Sequence, residues 1–184
     1  MKWIFVIVGS FTVGVALAED SLLIRTNVYA VSGATPREIR SSIDQKRPWK
    51  DPLDASTSWS IKWSFTTVST DSDCKLGTLE IKTSIAITVP QWDPTSEAED
   101  RLKQRWQLYK VALLAHEDGH KRIALAAAKE IKTRLKKLKP ASTCAQLEAA
   151  INRTANKVIE EFRQREKAYD ERTNHGRAEG AVFP

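Results

Sequence analysis

Hydrophobic positions along the chain change period three times, and each change marks an element. A β-prone run, Asn27 to Val31, is broken by Ser32-Gly33-Ala34. Thr35-Pro36-Arg37-Glu38 then carries a helix-start signature: a Thr cap, Pro at the first helical position and Glu closing a capping box. It predicts a short helix to about Ile43. Gln45 to Ser58, with Pro48 and Pro52, reads as a loop. Trp59, Ile61, Trp63 and Phe65 then alternate with Ser60, Lys62 and Ser64, the period of a half-buried strand. Leu79, Ile81, Ile85, Ile87 and Val89 alternate in a second, longer strand that Pro90 is expected to stop. The two strands are expected to pair antiparallel.

After Asp93-Pro94 the period becomes helical. Ser96 and Glu99 suggest a capping box. Leu102, Trp106, Tyr109, Leu113, His116, His120, Ile123, Ala127, Ile131, Leu135 and Leu138 follow at steps of three or four, the stripe of one long buried face. Pro140 ends it, and a kink near Gly119 is left open. Thr143 to Gln146 resembles another capping box, and Leu147, Ile151, Val158, Phe162 and Tyr169 make the next stripe. So short a connection makes the two helices antiparallel. The predicted fold is therefore α+β: a small antiparallel sheet on a long metal helix and a second long antiparallel helix, in a zincin-like arrangement. The tail after Gly176 is small and polar, and is expected to be loosely held.

Composition adds a compartment. Met1-Lys2, an apolar run to Val15 and Ala16-Leu17-Ala18 read as a secretory signal peptide cleaved after Ala18. The run is short against the roughly 20 residues of a membrane span. Residues 19–184 suit a single domain. A periplasmic or secreted location follows, with no membrane contact after cleavage. The two cysteines, Cys74 and Cys144, are then expected to form a disulfide. The chain carries a formal charge of +6. Its surplus from Lys129 to Lys139 reads as a solvated helix face, and without interleaved aromatics it predicts no nucleic-acid partner. Oligomeric state is not legible.

The chemistry sits in the long stripe. His116-Glu117-Asp118-Gly119-His120 is an H-E-x-x-H motif, built from two of the three histidines in the chain. Residues four apart on a helix share one face about 6 Å apart along the axis, so two imidazoles there can grip one Zn2+. Glu117 points past the ion and can act as general base toward a metal-activated water. Gly119 either admits a close neighbour or is merely tolerated. A catalytic zinc needs a third protein ligand. Glu130, on the same helix, lies about 15 Å along the axis from His120, too far for the same ion. His175 is the first candidate, brought back by antiparallel packing and aimed by an Asn174–Gly176 helix exit. Asp170, Glu166 and Glu161 remain open as carboxylate alternatives. Tyr169 is a candidate oxyanion donor or a packing residue. Asp170 is alternatively a partner for the far nitrogen of a ligand histidine.

The H-E-x-x-H helix, the export signal and the late stretch Tyr169-Asp170-x-x-Thr173-x-His175-Gly176 resemble the bacterial domain-of-unknown-function family numbered 922. The resemblance runs from about Asn27 to Gly176. Its members are described as predicted secreted zinc-dependent proteases. It implies a peptidase that takes peptide or protein substrates in a bacterial periplasmic or secreted setting. Read from the residues, the expected activity is a zinc metallopeptidase of the HExxH type. The other readings kept open are an envelope binding protein with a structural metal site and a zinc amidase acting on cell-wall peptides. An edge strand within Leu79–Val89 is expected to align the substrate.

Overall fold

The computed structural model describes residues 19–94, 96 and 98–183. The expected signal peptide lies outside them. Three strands and three helices follow in the order β1 (Ser21–Val31), α1 (Pro36–Lys46), β2 (Ser56–Ser69), β3 (Cys74–Trp92), α2 (Asp100–Lys136) and α3 (Cys144–Thr173). A 3-10 turn, Arg177–Glu179, follows. The α+β class holds. Among the described residues no helix is long and apolar enough to cross a membrane.

The sheet is mixed, not antiparallel. Its order is β1-β3-β2, with β2 antiparallel and β1 parallel to β3. β1 begins six residues before the expected Asn27, because Leu22, Ile24 and Val28 at the sheet edge stay largely exposed and give no clean alternation. β3 is central, with a strand on both sides from Lys82 to Thr88, so that most of the expected Leu79–Val89 edge is closed to a substrate; the long free edges belong to β1 and β2. β3 also runs through Pro90 to Trp92. Pairing with β2 ends at Ser56↔Thr88, while β1 continues to Val31↔Trp92. By residue 90 the strand has one neighbour, and a missing N–H on the vacated side costs no ladder bond.

Thr57, Trp59 and Ile61 of β2 and Ile81, Thr83, Ile85 and Ile87 of β3 face the helices. Trp59 donates its indole N–H to Glu166 of α3 at 2.6 Å, and Trp63 does the same to Asn152 at 2.9 Å. The helix layer is α2 and α3, packed antiparallel and pinned by a fork from Arg134 to Glu161 at 3.0 and 2.7 Å. Ala124, Ala127, Ile131 and Leu135 of α2 meet Leu147, Ile151, Ala155 and Val158 of α3 in a fully apolar seam. The Cys74–Cys144 disulfide closes this end, with Cα atoms 5.0 Å apart, tying the first residue of β3 to the first of α3. Backbone bonds between Cys74 and Ala141 at 2.8 and 3.0 Å reinforce it.

The Thr35 capping box is present, and α1 reaches Lys46. Thr143 caps α3 through the Gln146 N–H. The box expected at Ser96 is absent. Glu99 is itself the N-cap residue, with no side-chain cap bond, so the helix opens too late for Ser96 to reach it. α2 is one unbroken helix through Gly119. The tail is not loose. Ala181 and Phe183 are buried, Phe183 packs edge-on to Trp106 with centroids 5.2 Å apart, and Arg40 donates to the Phe183 carbonyl at 3.2 Å. Two buried side chains on an otherwise polar segment were enough to dock it.

Candidate metal centre

α2 delivers His116, Glu117 and His120 to one spot, all under a tenth exposed. Each imidazole is held from behind. His116 Nδ1 lies 3.0 Å from Glu179 Oε2, and His120 Nδ1 lies 3.5 Å from Glu166 Oε1. A carboxylate at Nδ1 keeps the proton there and turns the Nε2 lone pair outward, the usual support of a metal-binding histidine. Both Nε2 atoms converge on Asp170 Oδ1, at 3.3 Å from His116 and 3.0 Å from His120. Donors about 2.1 Å from a tetrahedral ion lie about 3.4 Å apart, so these spacings suit one cation. The ligand atoms of His116, His120 and Asp170 all fall within 4.8 Å of one another. Two imidazoles and one carboxylate, with Nδ1 restrained on both rings, fit a divalent metal of the zinc type.

Charges follow the geometry. Burial disfavours imidazolium at His120, but hydrogen bonds to Asp170 and Glu166 outweigh it and raise the pKa to about 10. His116 is also raised: Asp170 and Glu179 overcome its desolvation. Burial would lift Asp170, yet the two histidines hold it well below the ordinary carboxylate range. Two imidazoles both biased toward protonation around one carboxylate are the electrostatic counterpart of a cation shared by three donors. Glu117 behaves differently. Burial raises its pKa, opposed by a 2.5 Å hydrogen bond from the Thr57 hydroxyl and by the nearby histidines. Thr57 thus fixes the carboxylate from β2 without using up its second oxygen.

The third histidine stands apart. His175 Nδ1 is 3.5 Å from Asp170 Oδ1, but its side chain is 49% exposed and it falls outside the mutually close donor group. Its backbone is unusual: Asn174, His175 and Gly176 have φ of 49, 51 and 78° in succession. Left-handed backbone is costly for a side-chain-bearing residue, and such costs gather at functional sites. The triple turn reverses the chain after α3. It leaves His175 on the cleft and sends Arg177–Glu179 back over His116. Gly176 is required twice, by its φ and because a Cβ there would come 2.9 Å from His116 Cγ.

Tyr169 has a packing position. Its ring stacks on His116 with centroids 4.9 Å apart, and its hydroxyl donates to the His116 carbonyl at 3.2 Å, 3.3 Å from Glu179. It does not line the cleft, so the geometry offers it no developing oxyanion. It also accounts for Gly119, since any Cβ at 119 would overlap the Tyr169 ring. Of the open carboxylates, Asp170 converges with the imidazoles and Glu166 stands behind His120. Glu161 is taken by Arg134. Glu179 was not foreseen: it lies in a tail that reads as loose, and only the triple left-handed turn brings it to His116.

A cleft of about 750 Å³ opens above the group. One wall is the loop from Arg47 to Thr57, the other the segment from Asn174 to Phe183. A buried network props up its far end. Asp54 accepts two bonds from Arg40, at 2.8 and 2.5 Å, and one from the Tyr109 hydroxyl at 2.8 Å, while its carbonyl accepts from Tyr29 at 2.6 Å. Comparison with curated proteins and with solved structures finds no match. A family model described as a bacterial protein of unknown function (DUF922) matches residues 26–176, a span holding the H-E-x-x-H helix, Asp170 and the triple turn, and the chain belongs to that family.

Proposed function

We propose that the protein is a zinc-dependent hydrolase of peptide bonds, with His116, His120 and Asp170 as the metal ligands and Glu117 as the general base. The observation that carries this reading is the convergence of two restrained Nε2 atoms and Asp170 Oδ1 at a cleft floor, beside a buried carboxylate. Three protein donors in an open cleft suit a catalytic site, whereas structural zinc takes four. A bound zinc supplies a Lewis acid that polarises a carbonyl and lowers the pKa of water to about 7.

The residues divide the remaining work. Glu117, anchored by Thr57, takes a proton from the attacking water and delivers it to the leaving amine. Its raised pKa brings it nearer the range useful for that exchange. His175, half exposed beside Asp170, takes the oxyanion-donor role that Tyr169 is not placed to fill. Glu166, Glu179 and Tyr169 hold the ligand rings. The zincin comparison rests on a sheet edge laid beside an H-E-x-x-H helix. The substrate is an extended peptide in a periplasmic or secreted setting, and the disulfide supports that setting.

Metal analysis and hydrolysis of an unfolded protein test this together. Glu117→Gln keeps its metal and loses hydrolysis. Asp170→Ala loses both. His175→Ala keeps metal and loses most of the rate. Loss of metal in His175→Ala with retention in Asp170→Ala would exchange the roles of the two residues. Full hydrolysis by Glu117→Gln would end the mechanism.

A further inference from the structure

We infer that the cleft receives the end of an extended chain, because its lining runs on from the metal donors as far as Arg47 on one side and stops at Thr57 and Glu166 on the other, where Arg163 of α3 caps the β2 edge at Trp59. This rests on the peptide-hydrolase reading above for its substrate class, though not for its geometry.

The free edge of β2 passes the site. In an antiparallel pair, successive residues turn their N–H and C=O alternately toward the partner strand and away from it. Arg163 donates to the Trp59 carbonyl at 2.9 Å, so within β2 the outward-facing residues beside the site are Thr57 and Trp59. Thr57 lines the cleft and can pair with an incoming backbone. Trp59 cannot. Its carbonyl is occupied, the Arg163 guanidinium lies 3.6 Å over its ring, and the other end of that guanidinium is fixed to Glu166 Oε2 at 2.8 Å. Glu166 in turn holds the Trp59 indole and backs His120. Trp59 is 5% exposed, and the more exposed Arg163 is held over it at three points, the Trp59 carbonyl, the Trp59 ring and Glu166.

Thr57 is level with Glu117, to which it is bonded. Trp59 lies two residues on, about 7 Å along the strand. Beyond the reacting carbonyl there is room for one or two substrate residues before the wall. In the other direction the lining continues through Asp54, Leu53 and Pro52 to Arg47. An asymmetric cleft of this kind removes one or two residues from a chain end and rejects internal bonds of long chains.

The test uses metal-loaded mature protein and three metal-chelating probes. One is an acetyl-trileucine hydroxamate, with residues only on the amino side of the chelator. The second is a succinyl hydroxamate carrying Leu-Leu-amide on the carboxyl side. The third is a phosphinic peptide with three residues on each side of the chelator, one more than the walled side can hold. The better one-sided probe should bind at least about tenfold more tightly than the two-sided one, a gap of about 1.4 kcal/mol. Arg163→Ala should narrow that gap, and product masses from short peptides should show loss of one or two terminal residues. Tighter two-sided binding, or internal cleavage by the unaltered protein, overturns the inference while leaving the hydrolase intact. One-sided preference without hydrolysis of any peptide keeps the inference and removes the hydrolase. Failure of all three probes to bind overturns both.

Discussion

The two ends of the α2–α3 pair are built from opposite materials. At one end Ala124, Ala127, Ile131 and Leu135 meet Leu147, Ile151, Ala155 and Val158 with no buried polar side chain between them. Alanines bring the helices close, and the disulfide ties the start of α3 to the start of β3, with Cα atoms 5.0 Å apart. At the other end the same helices bury His116 and His120, satisfied by carboxylates from α3 and the tail, and Glu117, satisfied by the Thr57 hydroxyl of β2. The apolar end is a platform with one stable arrangement. The polar end is held in place by it, and its convergent charges are tolerable because a cation or protons fill the centre. Stability and chemistry are thus separated along one helix pair, about three turns apart from centre to centre.

Changes at the two ends should therefore have different signatures. The largest expected effect is at Glu117. Replacement by Gln should lower hydrolysis by roughly 10²–10⁴-fold, the usual worth of a general base, with metal content and melting temperature near normal. Next comes the staple. Cys74→Ser with Cys144→Ser opens a 70-residue loop and should cost about 4 kcal/mol in denaturant unfolding. Metal affinity of the remaining folded fraction should hardly change. A large loss of affinity there would show that the platform and the site are not separable. Glu179→Gln leaves the platform untouched and frees the back of His116. It should weaken metal binding about 10–100-fold in a competition titration with a chelator dye. Gly119→Ala pushes Tyr169 off both rings. A destabilisation of about 1–3 kcal/mol is expected, together with weaker metal binding. Smallest is Thr35→Ala, which removes the α1 capping bond and should cost about 1 kcal/mol with no effect on metal.

What was legible in the residues follows the same division. The two helical stripes, the disulfide and the Thr35 box are local or covalent, and each is found where the pattern places it. The H-E-x-x-H spacing is local too, so His116, His120 and Glu117 meet as their offsets require. Sheet topology is not local. β1 pairs parallel to a strand far along the chain, and its exposed Leu22, Ile24 and Val28 carry no burial period. Glu179 depends on three successive left-handed residues; Asn174 and Gly176 suit that backbone, but His175 between them does not, and no propensity anticipates the full turn. Asp170 was one of several acidic residues on a helix face. Its convergence with both imidazoles depends on how α3 sits against α2, which spacing alone does not set.

The docked tail has a practical consequence. Phe183 is buried against Trp106 and Tyr109 and lines the cleft, and Arg40 grips its carbonyl. Anything fused behind it leaves the protein at the mouth of the site. A polyhistidine purification handle placed there would bring a string of competing imidazoles within reach of the metal donors and could occupy the substrate path. Metal stoichiometry measured on a carboxyl-tagged preparation should be repeated after the tag is cut away.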